Sequence, residues 1–154
     1  MDKTEKKYNK FVFSKLSSDW GNLSEKIKKS INEKIDNDLK DNLTTEEIEN
    51  FKDGISKYIN CFYNEIPDMI RQFYSFTKTT VDCVVFSEND LKTLITFIKK
   101  LNNKEIDTLS EIAKLTTLTM NYFDNVSFPI IKEYCIKFAE KHESKLNSFF
   151  FFNF

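Results

Sequence analysis

The sequence predicts an all-α protein, an antiparallel bundle of four to six amphipathic helices in which one long helix is kinked near Pro67. The main observation is a series of apolar residues at steps of three and four. Only a helix keeps such residues on one face, because side chains of a strand alternate with a period of two. The series consists of Ile48, Phe51, Ile55, Ile59, Phe62, Ile66, Met69, Phe73 and Phe76. Turn residues are also scarce, with 2 glycines and 2 prolines, fewer than all-β or doubly wound α/β proteins usually need.

The length of 154 residues predicts one helical domain over residues 1–154 with a core of its own. No domain linker or internal repeat interrupts it. Residues 147–154 form an aromatic tail. One prediction for this tail is that it is flexible, because five aromatic side chains in a short run cannot all face one core.

The N-terminal part predicts one or two helices between about residues 5 and 40. Its apolar residues recur at steps of three to five, and Trp20 among them is expected to anchor a core or an interface. We expect a break near residues 17–21, because Gly21 weakens a helix and Ser17-Ser18-Asp19 can cap a new one. A polar connection over residues 37–42 follows. Thr44 with Glu47 then has the capping-box spacing.

The long apolar series contains Pro67, which removes a backbone donor at a cost of roughly 3 kcal/mol in a helix interior. Because the apolar face continues in phase on both sides, we expect a kink there rather than a stop. The apolar run extends through Phe86. Ser87 is then placed as an N-cap, with Asp90 as its third helical residue.

Three further elements complete the predicted bundle. A short amphipathic helix runs from Leu91 to Leu101 and ends at Asn102-Asn103. The next runs from Ile106 to Phe123, and Asp124-Asn125 is expected to be a turn. Ser127, with Pro129 just inside, then opens a last helix, which is lined by Ile131, Tyr134, Cys135, Phe138, His142 and Leu146.

Charge and composition argue against nucleic acid as a specific partner. The net charge is −1, and every cation except Arg71 is lysine, whereas base and phosphate recognition favour the planar fork of arginine. The charged N-terminus lacks a secretory signal pattern, and no stretch approaches the roughly 18 apolar residues of a transmembrane helix. Cys61, Cys83 and Cys135 are odd in number and form no Cys-x-x-Cys pair, so we expect reduced thiols and a cytoplasmic protein.

The sequence gives no motif for catalysis, and we predict a non-enzymatic protein without a cofactor or a metal. Two isolated glycines cannot form a phosphate-binding loop. Cys135 and the single histidine, His142, are about 10 Å apart along a helix, too far for a nucleophile and its base. We therefore interpret the cysteines as core or boundary thiols and His142 as a surface or boundary imidazole. The lysine groups are interpreted as a solvated helix face.

We predict an apolar interaction surface from the last helix and the aromatic tail. It consists of Phe128, Ile131, Tyr134, Phe138, Phe149, Phe150, Phe151, Phe152 and Phe154. Two interpretations of the tail stay open. It folds back on the bundle, or it engages a protein partner, a lipid-like surface or another copy of the chain. We expect a homo-oligomer.

The C-terminal half, about residues 91–147, resembles the phasin family, the amphipathic helical proteins that coat polyhydroxyalkanoate granules. The resemblance is one of layout: a helix ends in the polar stretch 101–105, residues 106–114 follow, and a regular helix runs from Ile130 to Leu146. It implies binding to a hydrophobic granule surface. Phasins have no catalytic residues, so none is transferred.

A second resemblance is to poxviral apoptosis-regulator-like proteins, which bind host signalling or death-motif proteins. It rests on the order of the segments 55–59, 76–85 and 109–123. The leading functional hypothesis is therefore a phasin-like coat or scaffold protein. The alternative is a compact helical module that binds a protein partner, such as a viral modulator of host signalling or apoptosis.

Overall fold

The computed structural model describes residues 3–64 and 85–141. These residues form four helices and no strand: α1 Lys3–Leu39, α2 Thr45–Asn64, α3 Glu88–Asn102 and α4 Leu109–Lys141. The all-α fold class is confirmed. Pro67, Cys83, His142 and the aromatic tail lie outside the described residues, so the kink, the imidazole and the tail stay predictions.

The first and last helices are antiparallel neighbours. Tyr122 of α4 donates its hydroxyl hydrogen to Asp38 near the end of α1, at 2.8 Å. Farther along α4, the hydroxyl of Tyr134 is 2.8 Å from that of Ser30, which lies earlier in α1. Later residues of α4 therefore contact earlier residues of α1, so the two helices run in opposite directions.

The remaining helices alternate in direction. Lys52 of α2 pairs with Asp36 of α1 across a short connection, as in a helical hairpin. Asn50, in the second turn of α2, donates to the side chain of Asn102 in the last turn of α3, at 3.0 Å. The predicted antiparallel arrangement is thus present: α1 packs on α2 and α4, and α3 packs on α2 and α4.

The core is built from apolar stripes at helical spacing. Along α1 the fully buried residues are Ile27, Ile31, Ile35 and Leu39, each one turn after the last. Burying each such side chain contributes about 1.5–3 kcal/mol. Trp20 is also buried, so its predicted role as an anchor is confirmed.

The expected break in the N-terminal segment is absent, because α1 is one helix across Gly21. Trp20 and Leu23 on either side of the glycine are both buried in the same core. Glycine costs a helix only about 1 kcal/mol, less than the burial of these side chains contributes. The break was predicted wrongly because local propensity was given more weight than packing.

The capping box predicted at Thr44 is present, and the N-cap predicted at Ser87 forms a second capping box. Glu47 N–H donates to Thr44 Oγ1 at 3.1 Å, and Thr44 N–H donates to Glu47 Oε1 at 2.9 Å. Before α3, Asp90 N–H donates to Ser87 Oγ at 3.1 Å, and Ser87 N–H donates to Asp90 Oδ2 at 2.9 Å. Each pair satisfies two backbone donors that a helix start leaves open.

The expected turn at Asp124-Asn125 is also wrong, since α4 continues through it and contains Pro129 in its interior. Proline removes one backbone donor and normally costs about 3 kcal/mol here. Val126 and Ile131, on either side of the proline, are both buried. Their burial keeps the helix continuous at a position where the local sequence pattern predicts the start of a new helix.

The connection between α3 and α4 explains where α3 ends and where α4 begins. Glu105 N–H donates to Lys100 O at 2.8 Å, and Lys104 N–H donates to Leu101 O at 3.1 Å. Lys104 has a φ of 58°, so this is a Schellman ending with lysine where glycine is usual. Helix α4 begins at Leu109, later than the predicted Ile106, after Thr108 accepts from Glu111 N–H at 3.2 Å.

Candidate interaction groove

The described residues of the predicted interaction surface pack against the bundle core. Ile131 is fully buried and Phe138 is 7% exposed. Phe128 and Tyr134 are partly buried and pack against the same core. These four side chains pack α4 onto the bundle, and Tyr134 and Phe138 also line a cleft between α1 and α4. The aromatic tail residues Phe149, Phe150, Phe151, Phe152 and Phe154 lie outside the described residues.

An open apolar groove lies elsewhere, at the end of the bundle where α2 begins, α3 ends and α4 begins. Its volume is about 410 Å³, within the range of binding sites for small ligands or for the side chains of a docked helix. The groove is lined by Asn50, Phe51, Gly54, Ile55, Ile98, Leu101, Asn102, Leu115, Thr116, Thr119 and Met120.

The groove presents an uncharged surface. None of its lining residues carries a formal charge. Its polar side chains are largely bonded within the protein: Asn102 donates to Ile98 O at 2.9 Å and accepts from Asn50, while Thr116 donates to Ile112 O at 2.8 Å. What remains to contact a ligand is mainly apolar.

Glycine at position 54 keeps one wall of the groove low. A Cβ atom added to Gly54 would meet nothing within 4 Å. The space above this residue is therefore open, and a ligand can approach the backbone of α2 there.

The first part of α4, which contributes one wall of the groove, extends past the end of α1. Tyr122 is level with Asp38, and α1 ends one residue later at Leu39. About 20 Å of α4, from Leu109 to Asn121, therefore extends past the end of α1.

The extension and the turn that follows it carry a second apolar face, which we call the α4 strip: Leu109, Ile112, Thr116, Met120 and Phe123. Its steps are three or four residues, so its members share one side of the helix. Leu109 is 85% exposed, Ile112 49% and Met120 53%, while Phe123 packs partly against the core.

The same side of α4 is covered farther along the helix. Continuing from Phe123 in steps of three and four leads to Ser127, Ile131 and Tyr134. Ser127 and Ile131 are buried, and Tyr134 contacts Ser30 of α1. One face of α4 is thus closed by α1 in its second half and open in its first half.

A different side of α4, at the end of the extension, belongs to the bundle core. Tyr122 is 3% exposed, and its ring lies 6.1 Å from that of Phe51 and 5.5 Å from that of Phe86, between centroids. Burial raises the pKa of Tyr122, and the adjacent Asp38 carboxylate raises it further. The residue therefore stays protonated and acts as a fixed hydrogen-bond donor.

Two other polar features of the described residues are less suited to bind a ligand. Ser127 Oγ is buried and has no hydrogen-bond partner, but it is enclosed among core residues. A second cleft of about 360 Å³ between α1 and α4 contains Lys26, Lys137 and Lys141 together with Asp19. Lys137 is already paired with Glu133 at 2.7 Å, so the cleft has charges of both signs and less apolar surface than the groove.

The part of the chain that the structure describes has neither a metal-binding cluster nor a membrane-spanning helix. In residues 3–64 and 85–141, no three His, Cys, Asp or Glu side chains are placed to hold a metal ion. Over the same ranges, none of the helices combines the length and the apolar character needed to cross a lipid bilayer.

Sequence reasoning named some groove residues but not the groove. Phe51 and Ile55 belong to the long apolar series, and Leu101 to the short amphipathic helix that begins at Leu91. Met120 and Thr116 were missed. The available signal was that residues 109–123 carry two apolar faces, one with Leu115, Leu118 and Tyr122 and the other with the α4 strip.

Comparisons of the chain with protein-family models, with curated proteins and with solved structures found no match. The resemblances to phasins and to poxviral apoptosis regulators therefore stay predictions.

Proposed function

We propose that this chain is a non-enzymatic intracellular binding protein whose groove receives the apolar face of an amphipathic helix from a protein partner. The observation that carries the proposal is the groove itself, which is open, uncharged and about 410 Å³ in volume. Of the functions predicted from the sequence, this is the compact interaction module. A viral modulator of host signalling is one protein of that kind.

A helix suits the groove because of its walls. The groove is bounded by parts of α2, α3 and α4, and helices pack with their axes 8–10 Å apart when side chains interdigitate. A docking helix presents anchors at positions i, i+3 or i+4, and i+7. The low wall at Gly54 leaves room for one of these anchors against the backbone of α2.

The test uses a model peptide of leucine and lysine, with leucine on one helical face, and a scrambled peptide of the same composition. Affinity is measured by fluorescence anisotropy with the full chain. The variant Gly54→Leu fills the groove and is expected to weaken binding by about tenfold or more, a loss of roughly 1.4 kcal/mol. The scrambled peptide is expected to bind poorly to the natural chain and to its variants.

Gly21→Leu is the matched control. Gly21 is also an exposed helical glycine with nothing within 4 Å of an added Cβ, but it lies in α1, away from the groove. Both variants should gain helix stability, by about 1 kcal/mol. Equal peptide affinity of the two variants would rule out the groove as the binding site.

The second candidate function is the phasin-like coating of a hydrophobic granule or lipid-like surface. It is favoured by the exposure of Leu109, Ile112 and Met120 along one line of α4. It ranks second because the apolar stripe of α1, with Ile27, Ile31 and others, faces inward, so broad coating requires the bundle to open.

Co-sedimentation with polymer or triglyceride particles tests the coating function. A coat protein is expected to bind the particles, and Gly54→Leu should not alter this binding. A tagged chain should also surround the granules in polymer-storing cells. If the protein remains in the supernatant and diffuse in such cells, the coating hypothesis is wrong.

A further inference from the structure

We infer that the helix received by the groove is α4 of a second copy of this chain, so that two copies pair antiparallel through their α4 strips. This inference rests on the proposed function of the groove and names its partner. Four features of the described residues support it.

The first feature is continuity with packing already present in the fold. The side of α4 that includes Ile131 and Tyr134 is covered by the antiparallel helix α1. The α4 strip is the uncovered continuation of that side past the end of α1. An antiparallel α4 from a second copy takes the direction of α1 and extends the same packing along α4.

The second feature is the symmetry of the α4 strip. Ile112 and Met120 each lie four residues from Thr116, and Leu109 and Phe123 each lie seven residues from it. A two-fold axis at Thr116 therefore places Ile112 opposite Met120 of the second copy, and Leu109 opposite its Phe123. A two-fold dimer needs such a self-complementary patch.

The third feature is the absence of charge on the strip. Glu111 and Lys114 flank Ile112 in sequence but lie on other sides of the helix. Glu111 Oε2 is 3.8 Å from Lys100 Nζ on α3, and the hydroxyl of Thr108 holds the pKa of this carboxyl below its usual range. Pairing the two strips brings no like charges into contact.

The fourth feature is the small size of the central residue. Thr116 lies on the groove side of α4, and its hydroxyl is already bonded to Ile112 O. A short side chain at the axis lets the helices approach closely, and the internal bond means that the Thr116 hydroxyl is not left without a partner on pairing.

The test measures the association of the full chain by sedimentation equilibrium from micromolar to millimolar concentration. Thr116→Glu places two carboxylates at the axis and is expected to weaken dimerisation by about a hundredfold or more. Thr117→Glu is the matched control, because Thr117 is exposed on α4 but points away from the strip. It should leave the dimer unchanged.

A second variant reports the geometry directly. Thr116→Cys should form a disulfide between copies under mild oxidation, because residues at a two-fold axis approach within the Cα separation of about 4.4–6.8 Å that a disulfide requires. Mass spectrometry identifies the 116–116 peptide among products of the native cysteines. Thr117→Cys should not form the equivalent product.

The outcomes separate this inference from the function on which it rests. A monomer at all concentrations, or a dimer that Thr116→Glu does not weaken, overturns the inference. If the leucine–lysine peptide still binds and Gly54→Leu abolishes that binding, the groove function stands with another partner. If the peptide does not bind either, both proposals fail.

Discussion

Replacing Tyr122 with phenylalanine tests a polar link between helices α1 and α4. The hydroxyl of Tyr122 donates to Asp38 Oδ2 at 2.8 Å across a sequence separation of 84 residues. The change deletes this hydrogen bond and leaves the ring, with its neighbours Phe51 and Phe86, in place.

The expected loss follows from the partners of Asp38. A hydrogen bond to a charged group contributes about 1.5–3 kcal/mol to stability. The carboxylate keeps its ion pair with Lys34, at 2.9 Å, and its side chain is 19% exposed, so water can replace the lost donor. We therefore expect the lower value, about 1.5 kcal/mol, which is a fall in Tm of about 3–6 °C for a chain of this size.

The measurement is urea unfolding followed by circular dichroism, with a double-mutant cycle of Tyr122→Phe and Asp38→Ala. The coupling energy should be about 1.5 kcal/mol. Tyr134→Phe is the comparison, because its hydroxyl bonds an uncharged partner, Ser30, and should cost about 1 kcal/mol or less. A coupling energy near zero would refute the argument that this bond ties α1 to α4.

Three further predictions concern helix ends and burial. Lys104→Gly should stabilise the protein by about 1 kcal/mol, because Lys104 has a φ of 58° that glycine adopts without strain; a loss of stability in urea unfolding would contradict this. Ser87→Ala removes the cap of α3 and should cost about 1 kcal/mol in the same assay, whereas an unchanged midpoint would mean that α3 does not depend on the cap. Burial raises the pKa of Asp124. The protonated carboxyl therefore contributes favourably to the free energy of unfolding below the unfolded pKa of about 3.9. This contribution is lost as the pH rises through the folded pKa. Asp124→Asn should thus be more stable than the natural chain near neutral pH, and the difference in free energy of unfolding should shrink in acid. An equal difference in urea unfolding at neutral and acidic pH would contradict burial as the cause of the raised pKa.

The sequence predicted the features that depend on near neighbours. The capping boxes at Thr44 and Ser87 follow from residues three positions apart, and the core stripe of α1 follows from steps of one helical turn. These patterns determine the fold class and most helix positions, because each is complete within a few turns of chain.

The errors occurred where distant packing outweighs a local signal. Gly21 and Pro129 both indicate a helix boundary by local rules, yet both lie inside helices whose flanking side chains are buried. The strength of that burial depends on α1 meeting α4, which no local pattern encodes.

The groove was not predictable for a similar reason. Its lining comes from three helices, α2, α3 and α4, and their relative placement is not encoded in any local pattern. The apolar pattern on Ile112 and Met120 is visible in the sequence, but its exposure follows only from the relative lengths and register of two helices far apart in the chain.

The pairing of the first helix with the last also has a consequence for synthesis on the ribosome. Helix α1 packs against α4, which begins at Leu109, so the stripe of α1 cannot be covered on that side until most of the chain has emerged. Proteins made N-terminus first expose such surfaces to aggregation during translation. Nascent chains that stop before Leu109 should therefore be bound by chaperones, and release from them should coincide with the emergence of α4.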